Sequence, residues 1–133
     1  MFYDYSFTIP ANTPQDSPKR YKCKLTHGVI HRIEIAFPPG CAGLAYLKIN
    51  EGLHQLWPTN PEGSFNTDAY TIVINEYYEL YRTPYMLTLI GWNDDDTYPH
   101  TLEVRFGILP QEILAPEETF IQAFKKLLKR LRL

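Results

Sequence analysis

The chain has 133 residues, of which 44% are hydrophobic and 21% are charged, and its formal net charge is −2. These values are typical of one globular domain whose core needs neither disulfides nor metal ions. The small net charge gives no reason to expect a nucleic-acid partner. No segment matches a signal peptide, and none approaches the roughly 20 apolar residues of a transmembrane helix, so we expect neither feature.

Alternation of polar and apolar residues, which is typical of half-buried strands, runs through most of the chain. The predicted strands, in chain order, are 3–9, 21–25, 29–37, 44–49, 53–57, 70–75, 85–92 and 100–109. Segments rich in Pro, Gly, Asn and Asp separate several of them. The segment 76–84 is predicted to be irregular or a single helical turn. In 29–37 the alternation places His31 on the core side together with Val29 and Ile33, and Ile30 on the opposite side.

About eight short strands, with no long helix before residue 116, predict an all-β fold. The spacing of strands and turns favours an antiparallel β-sandwich of jelly-roll type, and a barrel is the alternative. We expect residues 1–115 to form this sandwich domain and residues 116–133 to form a basic amphipathic helix.

The C-terminal segment has the periodicity of an amphipathic α-helix. Residues 1–116 carry 8 basic and 13 acidic side chains, net −5, whereas residues 117–133 carry 5 basic and 2 acidic side chains, net +3. We predict that this helix binds a partner through one apolar face and its basic flanks. The apolar residues are Phe120, Phe124, Leu127, Leu128 and Leu131, and the basic ones are Lys125, Lys126, Lys129, Arg130 and Arg132. Packing on its own sandwich and binding to an anionic membrane are the alternatives.

Three consecutive aspartates, Asp94, Asp95 and Asp96, stand between two predicted strands. Asp and Asn are favoured in turns because their side chains bond to nearby backbone groups. A calcium loop would space its oxygen ligands and add a distal Glu. We therefore predict a solvated turn, with a weak cation site as the alternative. Catalytic carboxylates are not expected here, since one of them would need a buried environment to raise its pKa.

No other pattern indicates catalysis, and we expect no enzyme activity, no cofactor and no metal ion. His27 and His31 would lie about 13 Å apart on an extended segment, too far to share one ion. No serine lies in a Gly-x-Ser-x-Gly turn, and no glycine-rich phosphate loop occurs. Cys23 and Cys41 have neither redox nor zinc spacing, so we predict two reduced, packed thiols, with a disulfide as the alternative.

Large aromatic residues suggest a second kind of surface. Trp57, Tyr77, Tyr78 and Tyr81 lie within 25 residues of one another in the sequence. Exposed rings on a β-sandwich could stack on sugar rings, which would make the chain a carbohydrate-binding module. The other interpretation is that many of these rings belong to the core, since aromatics dominate the packing of small domains.

Four motifs resemble small β-sandwich proteins of tailed-phage and prophage-type gene sets. They are FPPG at 37–40, WPTNPEG at 57–63, YYEL at 77–80 and TYPHTLEVRFGIL at 97–109, and the likeness spans about residues 28–110. The resemblance implies a virion component made in the host cytoplasm, such as a capsid decoration protein or an accessory structural subunit. It transfers no site residues.

Taken with the helix, the resemblance favours a non-enzymatic structural or assembly protein. Its expected partners are protein subunits, either copies of itself in a homo-oligomer or a capsid-type neighbour. A carbohydrate-binding module and a peripheral membrane protein that binds through the basic helix are the alternative functions.

Overall fold

Eight β-strands and one α-helix make up the described part of the computed structural model, which covers the backbone of residues 1–110 and 116–131 and the side chains of 1–110 and 124–131. The strands are β1 (Phe2–Ile9), β2 (Lys19–Lys24), β3 (Gly28–Phe37), β4 (Ala45–Glu51), β5 (His54–Trp57), β6 (Tyr70–Leu80), β7 (Met86–Asn93) and β8 (His100–Leu109). The helix α1 (Pro116–Leu131) begins where the sequence predicts it.

The strands form two antiparallel sheets of four. The first sheet has the order β1-β8-β3-β6, and the second has the order β2-β7-β4-β5. The chain changes sheet at every connection between strands except the β4–β5 hairpin, which is the arrangement of a jelly roll. The predicted antiparallel sandwich of jelly-roll type, followed by a C-terminal helix, is therefore confirmed.

The core lies between the two sheets and receives side chains from all eight strands. Its fully buried members include Phe7, Ile9, Ile33, Ile35, Leu47, Ile49, Leu87, Leu89, Leu102 and Phe106. Burying apolar surface stabilises a fold by about 25 cal/mol per Å². No described side chain of α1 is buried, so the sandwich closes its core without the side chains of residues 124–131.

Strand β6 is longer than predicted, and the prediction of an irregular or helical segment is wrong for residues 76–80, whereas residues 81–84 are irregular as predicted. The strand continues to Leu80, with Tyr78 opposite Ile30 and Glu79 opposite Val29 of β3. Tyr78 is half-buried and Leu80 is fully buried, while Glu76, Tyr77 and Glu79 are exposed. A neighbouring strand thus supplies backbone partners to a segment whose two glutamates disfavour a strand while its two tyrosines favour one.

An irregularity in β3 reverses the predicted alternation around His31. The pairing of β3 with β6 and with β8 shifts register between Ile30 and Arg32. As a result Val29 and Ile30 are both fully buried, and His31 is partly exposed. The prediction that His31 faces the core and Ile30 faces the solvent is wrong, because an unpaired residue in a strand turns the following side chains to the other side.

Candidate functional site

The C-terminal helix presents an apolar stripe to the solvent. Phe124, Leu127, Leu128 and Leu131 are 52%, 51%, 50% and 68% exposed. The predicted basic residues Lys125, Lys126, Lys129 and Arg130 are exposed as well. The side chain of Phe120 and the whole of Arg132 lie outside the described residues. The structure therefore brings together eight of the ten predicted partner-binding residues on one exposed helical segment.

A groove of about 840 Å³ lies where the second sheet meets the loops at one end of the sandwich. Arg20 and Lys22 of β2 form one wall, and residues 51–54 of the β4–β5 hairpin form another. The end of β6 and the following loop contribute residues 78, 79 and 81–84, while Met86 and Thr88 of β7 complete the lining. We call this feature the groove.

Two contacts hold the aromatic residues of the groove in place. The hydroxyl of Tyr78 donates a hydrogen bond to the carboxylate of Glu51, and so links β6 of one sheet to β4 of the other. Burial, together with this carboxylate, raises the pKa of Tyr78 to about 12. The ring of Tyr81 stacks on His27, with 4.5 Å between ring centroids and an interplanar angle of 7°. Glu51 therefore positions Tyr78, and His27 positions Tyr81.

The predicted aromatic surface is only partly present. Trp57 is 4% exposed and belongs to the core, where its indole N–H donates to Glu76 at 3.2 Å. Its assignment to an exposed surface is wrong, because β5 turns the indole into the space between the sheets. Tyr77 is 44% exposed on β6, whereas Tyr78 and Tyr81 are half-buried and line the groove.

The aspartate run connects β7 to β8, as predicted, but Asp95 is not solvated. Its side chain is 11% exposed, whereas Asp94 and Asp96 are exposed. Oδ1 of Asp95 accepts hydrogen bonds from the backbone N–H groups of Thr97 and Tyr98 at 2.9 and 3.1 Å. Oδ2 lies 2.9 Å from Nε2 of His100, which is 7% exposed. The connection therefore directs Asp95 inward, where its carboxylate contacts His100, the first residue of β8.

These contacts have a consequence for stability at low pH. The two backbone N–H groups, followed by His100, hold the pKa of Asp95 below its usual range. A carboxyl whose pKa is lowered by folding stabilises the fold above its unfolded pKa of about 3.9, and that contribution is lost as pH falls through the folded value. The ionised side chain of Asp95 is therefore expected to stabilise the native state at neutral pH.

We expect Asp95→Asn to melt at a lower temperature than the wild type at pH 7, because the amide lacks the charge that these donors stabilise. The difference should shrink as pH falls from about 4, the unfolded pKa, through the lowered pKa of the folded carboxyl. Thermal melts between pH 2 and 7, followed by circular dichroism, measure both effects. The matched control is Asp94→Asn, which removes the same charge from an exposed neighbour. Equal melting curves for the two variants would contradict the structural role of Asp95.

The described residues contain no group of three or more His, Cys, Asp or Glu side chains that could hold a metal ion. Cys23 and Cys41 are both buried and unbonded, which confirms the prediction of two packed thiols. Burial raises the pKa of Cys23 to about 12, and burial followed by Asp68 and Asp95 raises the pKa of Cys41. Since the thiolate is the reactive form, neither side chain is suited to nucleophilic chemistry at neutral pH.

Most of the groove was not predicted from the sequence. Of its lining residues, the sequence predicts a binding surface only for Tyr78 and Tyr81, as members of an aromatic cluster. The one available signal was the alternation of Arg20, Lys22 and Lys24, which places three cations on one side of β2. In the part of the chain that the structure describes, no helix is both long enough and apolar enough to cross a membrane.

No family model and no curated protein sequence matches the chain. Among solved structures, it is similar to the hydroxypropylphosphonic acid epoxidase from S. wedmorenis, with 11% identity and a TM-score of 0.40 over 80% of this chain. The chain spans only 43% of that enzyme. It is also similar to a Yersinia pseudotuberculosis-derived mitogen, with 8% identity and a TM-score of 0.44 over 82% of this chain and 86% of the mitogen. At these scores neither likeness carries an argument about function.

Proposed function

We propose that this chain is a non-enzymatic structural or assembly protein that uses α1 for contacts between subunits. The observation that carries the proposal is the exposure of the apolar stripe Phe124, Leu127, Leu128 and Leu131, each of which is half exposed or more. Contiguous apolar surface of this kind typically marks an interaction site. A helix with one apolar face gains stability when that face packs against another surface.

Charge favours a protein partner over an anionic membrane. The sequence through residue 116 has a net charge of −5, which opposes approach to an anionic lipid surface. The outer face of the first sheet carries Asp4, Glu34, Glu79 and Glu103 against Arg32 and Arg105. This acidic face in a second copy of the chain is complementary to the basic flanks of α1.

The resemblance to proteins of tailed-phage and prophage-type gene sets supports placing this assembly role in a virion. A capsid decoration protein or an accessory structural subunit fits a small sandwich with a terminal helical arm. The jelly-roll topology is compatible with this role, since viral capsid proteins use it, but lectins and cupins use it too. The step from assembly protein to virion component therefore rests on the resemblance.

The test is the oligomeric state of the full chain. We expect the wild type to form a discrete oligomer and Leu127→Asp/Leu128→Asp to be monomeric, as measured by light scattering after size exclusion. A buried leucine contributes about 1.5–3 kcal/mol, so removing two should weaken association by about 3 kcal/mol or more. That corresponds to at least about a 100-fold rise in the dissociation constant.

The matched control is Leu44→Asp/Leu53→Asp, which makes the same exchange at two exposed leucines of the sandwich. This control should assemble as the wild type does. An oligomer that survives the helix variant would contradict the role of α1, and a wild-type monomer would contradict self-assembly. Flotation with anionic vesicles then tests the membrane alternative, which requires binding that the same helix variant abolishes.

A further inference from the structure

The outer face of the second sheet is basic. Side chains that alternate with the buried residues of β2, β4, β5 and β7 point away from the core. They include Arg20, Lys22, Lys24 and Lys48, as the pairing of Arg20 and Lys48 with Ile90 and of Lys22 with Thr88 shows. Glu51 is the single acidic residue of these four strands, and it lies on the inward side with Leu47 and Ile49. The groove opens at one end of this basic face.

The cations of the groove have no acidic partner within the described residues. Among the described residues, the cationic side chains that form ion pairs within 4.0 Å are Arg32, Arg105 and His100, and none of these lines the groove. Arg20 and Lys22 are exposed and lie two residues apart on β2, which places their side chains about 6.6 Å apart along one wall. Arg82 approaches from the β6–β7 loop. Three cations without an ion-pair partner within 4.0 Å therefore line one space, where they outnumber the two lining carboxylates, Glu51 and Glu79.

The remaining lining groups select among anionic ligands. Glu51 and Glu79 also line the groove, and their carboxylates accept hydrogen bonds from hydroxyl groups, which are abundant on sugars and scarce on a deoxyribonucleotide chain. Thr83, Thr88 and His54 add groups that donate or accept. A ligand that combines negative charges with many hydroxyl groups satisfies both sets. Leu53, Pro84 and Met86 add apolar surface beside these polar groups.

We propose that the groove binds acidic sugars of a glycan chain, that is, sugars that carry carboxylate or sulfate groups. The cations of β2 and the β6–β7 loop pair with the acidic groups, and Glu51 and Glu79 accept hydrogen bonds from sugar hydroxyls. The flat ring of Tyr81, held by His27, forms part of the wall against which a sugar ring lies. The groove has a volume of about 840 Å³, which is within the usual range of about 300–1,000 Å³ for ligand sites. This site goes beyond the proposed assembly role and does not depend on α1.

Calorimetric titration of the full chain at physiological salt tests the proposal. The probes are a galacturonic acid hexamer, a heparin-derived hexasaccharide, a neutral maltohexaose and a single-stranded oligothymidylate. We expect one or both acidic hexasaccharides to bind, and the neutral sugar and the oligonucleotide to bind at least tenfold more weakly. The stronger of the two acidic probes distinguishes carboxylate from sulfate recognition.

Charge reversal locates the site. Lys22→Glu and Arg82→Glu should each weaken binding of the acidic hexasaccharide at least tenfold. Lys48→Glu makes the same charge change on the same face outside the groove and should have less than a threefold effect. All three side chains are at least partly exposed, so the variants should melt at the wild-type temperature.

Four results would overturn the proposal. They are no binding of either acidic probe, equal binding of the neutral sugar, equal or tighter binding of the oligonucleotide, and an equal loss of affinity in Lys22→Glu and Lys48→Glu. Equal binding of the neutral sugar would mean that the groove binds carbohydrates of a different chemical class. Equal or tighter binding of the oligonucleotide would indicate a general polyanion surface. An equal loss in the two lysine variants would indicate diffuse charge attraction. None of them bears on the assembly test, which concerns α1 alone.

Discussion

Phe106→Ala is expected to lower the free energy of unfolding by about 3–5 kcal/mol, the typical result of truncating a fully buried phenylalanine. Phe106 lies in β8, which is flanked by β1 and β3 in the first sheet, and it is 0% exposed. The Tyr5 ring packs against it edge to face, with 6.4 Å between centroids. The substitution removes apolar contacts and leaves a cavity that strands paired on both sides cannot close.

Urea unfolding followed by the fluorescence of the buried Trp57 and Trp92 measures this loss. The matched control is Phe2→Ala, which deletes the same atoms from a residue that is 54% exposed and lies on the neighbouring strand β1. We expect the control to lower stability by less than about 1 kcal/mol, as exposed substitutions generally do. Phe106→Leu keeps the comparison measurable if the alanine variant is largely unfolded. Equal losses at positions 106 and 2 would contradict the described core.

Gly91→Ala is expected to destabilise the fold by about 1–3 kcal/mol, because it overfills a packed core. A Cβ atom at Gly91 in β7 would lie 2.7 Å from Cδ1 of Ile9 and 2.7 Å from Cε2 of Phe7. Carbon atoms pack at about 3.5–4.0 Å. Ile9 and Phe7 belong to the opposite sheet and are 0% and 1% exposed, so neither has free space to move into. Glycine at this position lets the two sheets approach each other.

The control for this prediction is Gly107→Ala. Its Cβ would lie 2.8 Å from Nε2 of His31 and 3.2 Å from Cε2 of Phe2. His31 is only partly buried and Phe2 is exposed, so both rings can turn towards the solvent. We expect less than half the loss seen at Gly91, measured by the same urea unfolding. A larger loss at Gly107 than at Gly91 would show that the contact between the sheets does not limit the size of residue 91.

The regular parts of this fold could be predicted because they follow from local geometry. In β8 the alternation of Leu102, Val104 and Phe106 with polar neighbours continues without interruption, so its inward side was evident. The spacing of Phe124, Leu127, Leu128 and Leu131 likewise predicted one face of α1. Strand and helix periods are properties of the backbone, and they act over a few residues.

The departures occur where a distant part of the chain determines the local structure. β6 extends to Leu80 because β3 supplies hydrogen-bond partners, and the register shift near His31 involves the pairing of β3 with two other strands. Asp95 lies inward because the backbone N–H groups of Thr97 and Tyr98 and the ring of His100 surround its carboxylate, and these contacts depend on how the connection between β7 and β8 folds. Periodicity within a single segment contains no information about these neighbours.

The sequence by itself determined the fold class, the number of strands, the position of the helix and the split between an acidic sandwich and a basic C-terminal segment. Only the tertiary structure decided that Trp57 belongs to the core and that Arg20, Lys22, Tyr81 and Arg82 share a groove. The reason is physical. The direction of a side chain within a strand or helix is set by its own backbone, whereas a site assembled from β2, β6 and their loops exists only once the two sheets have packed together.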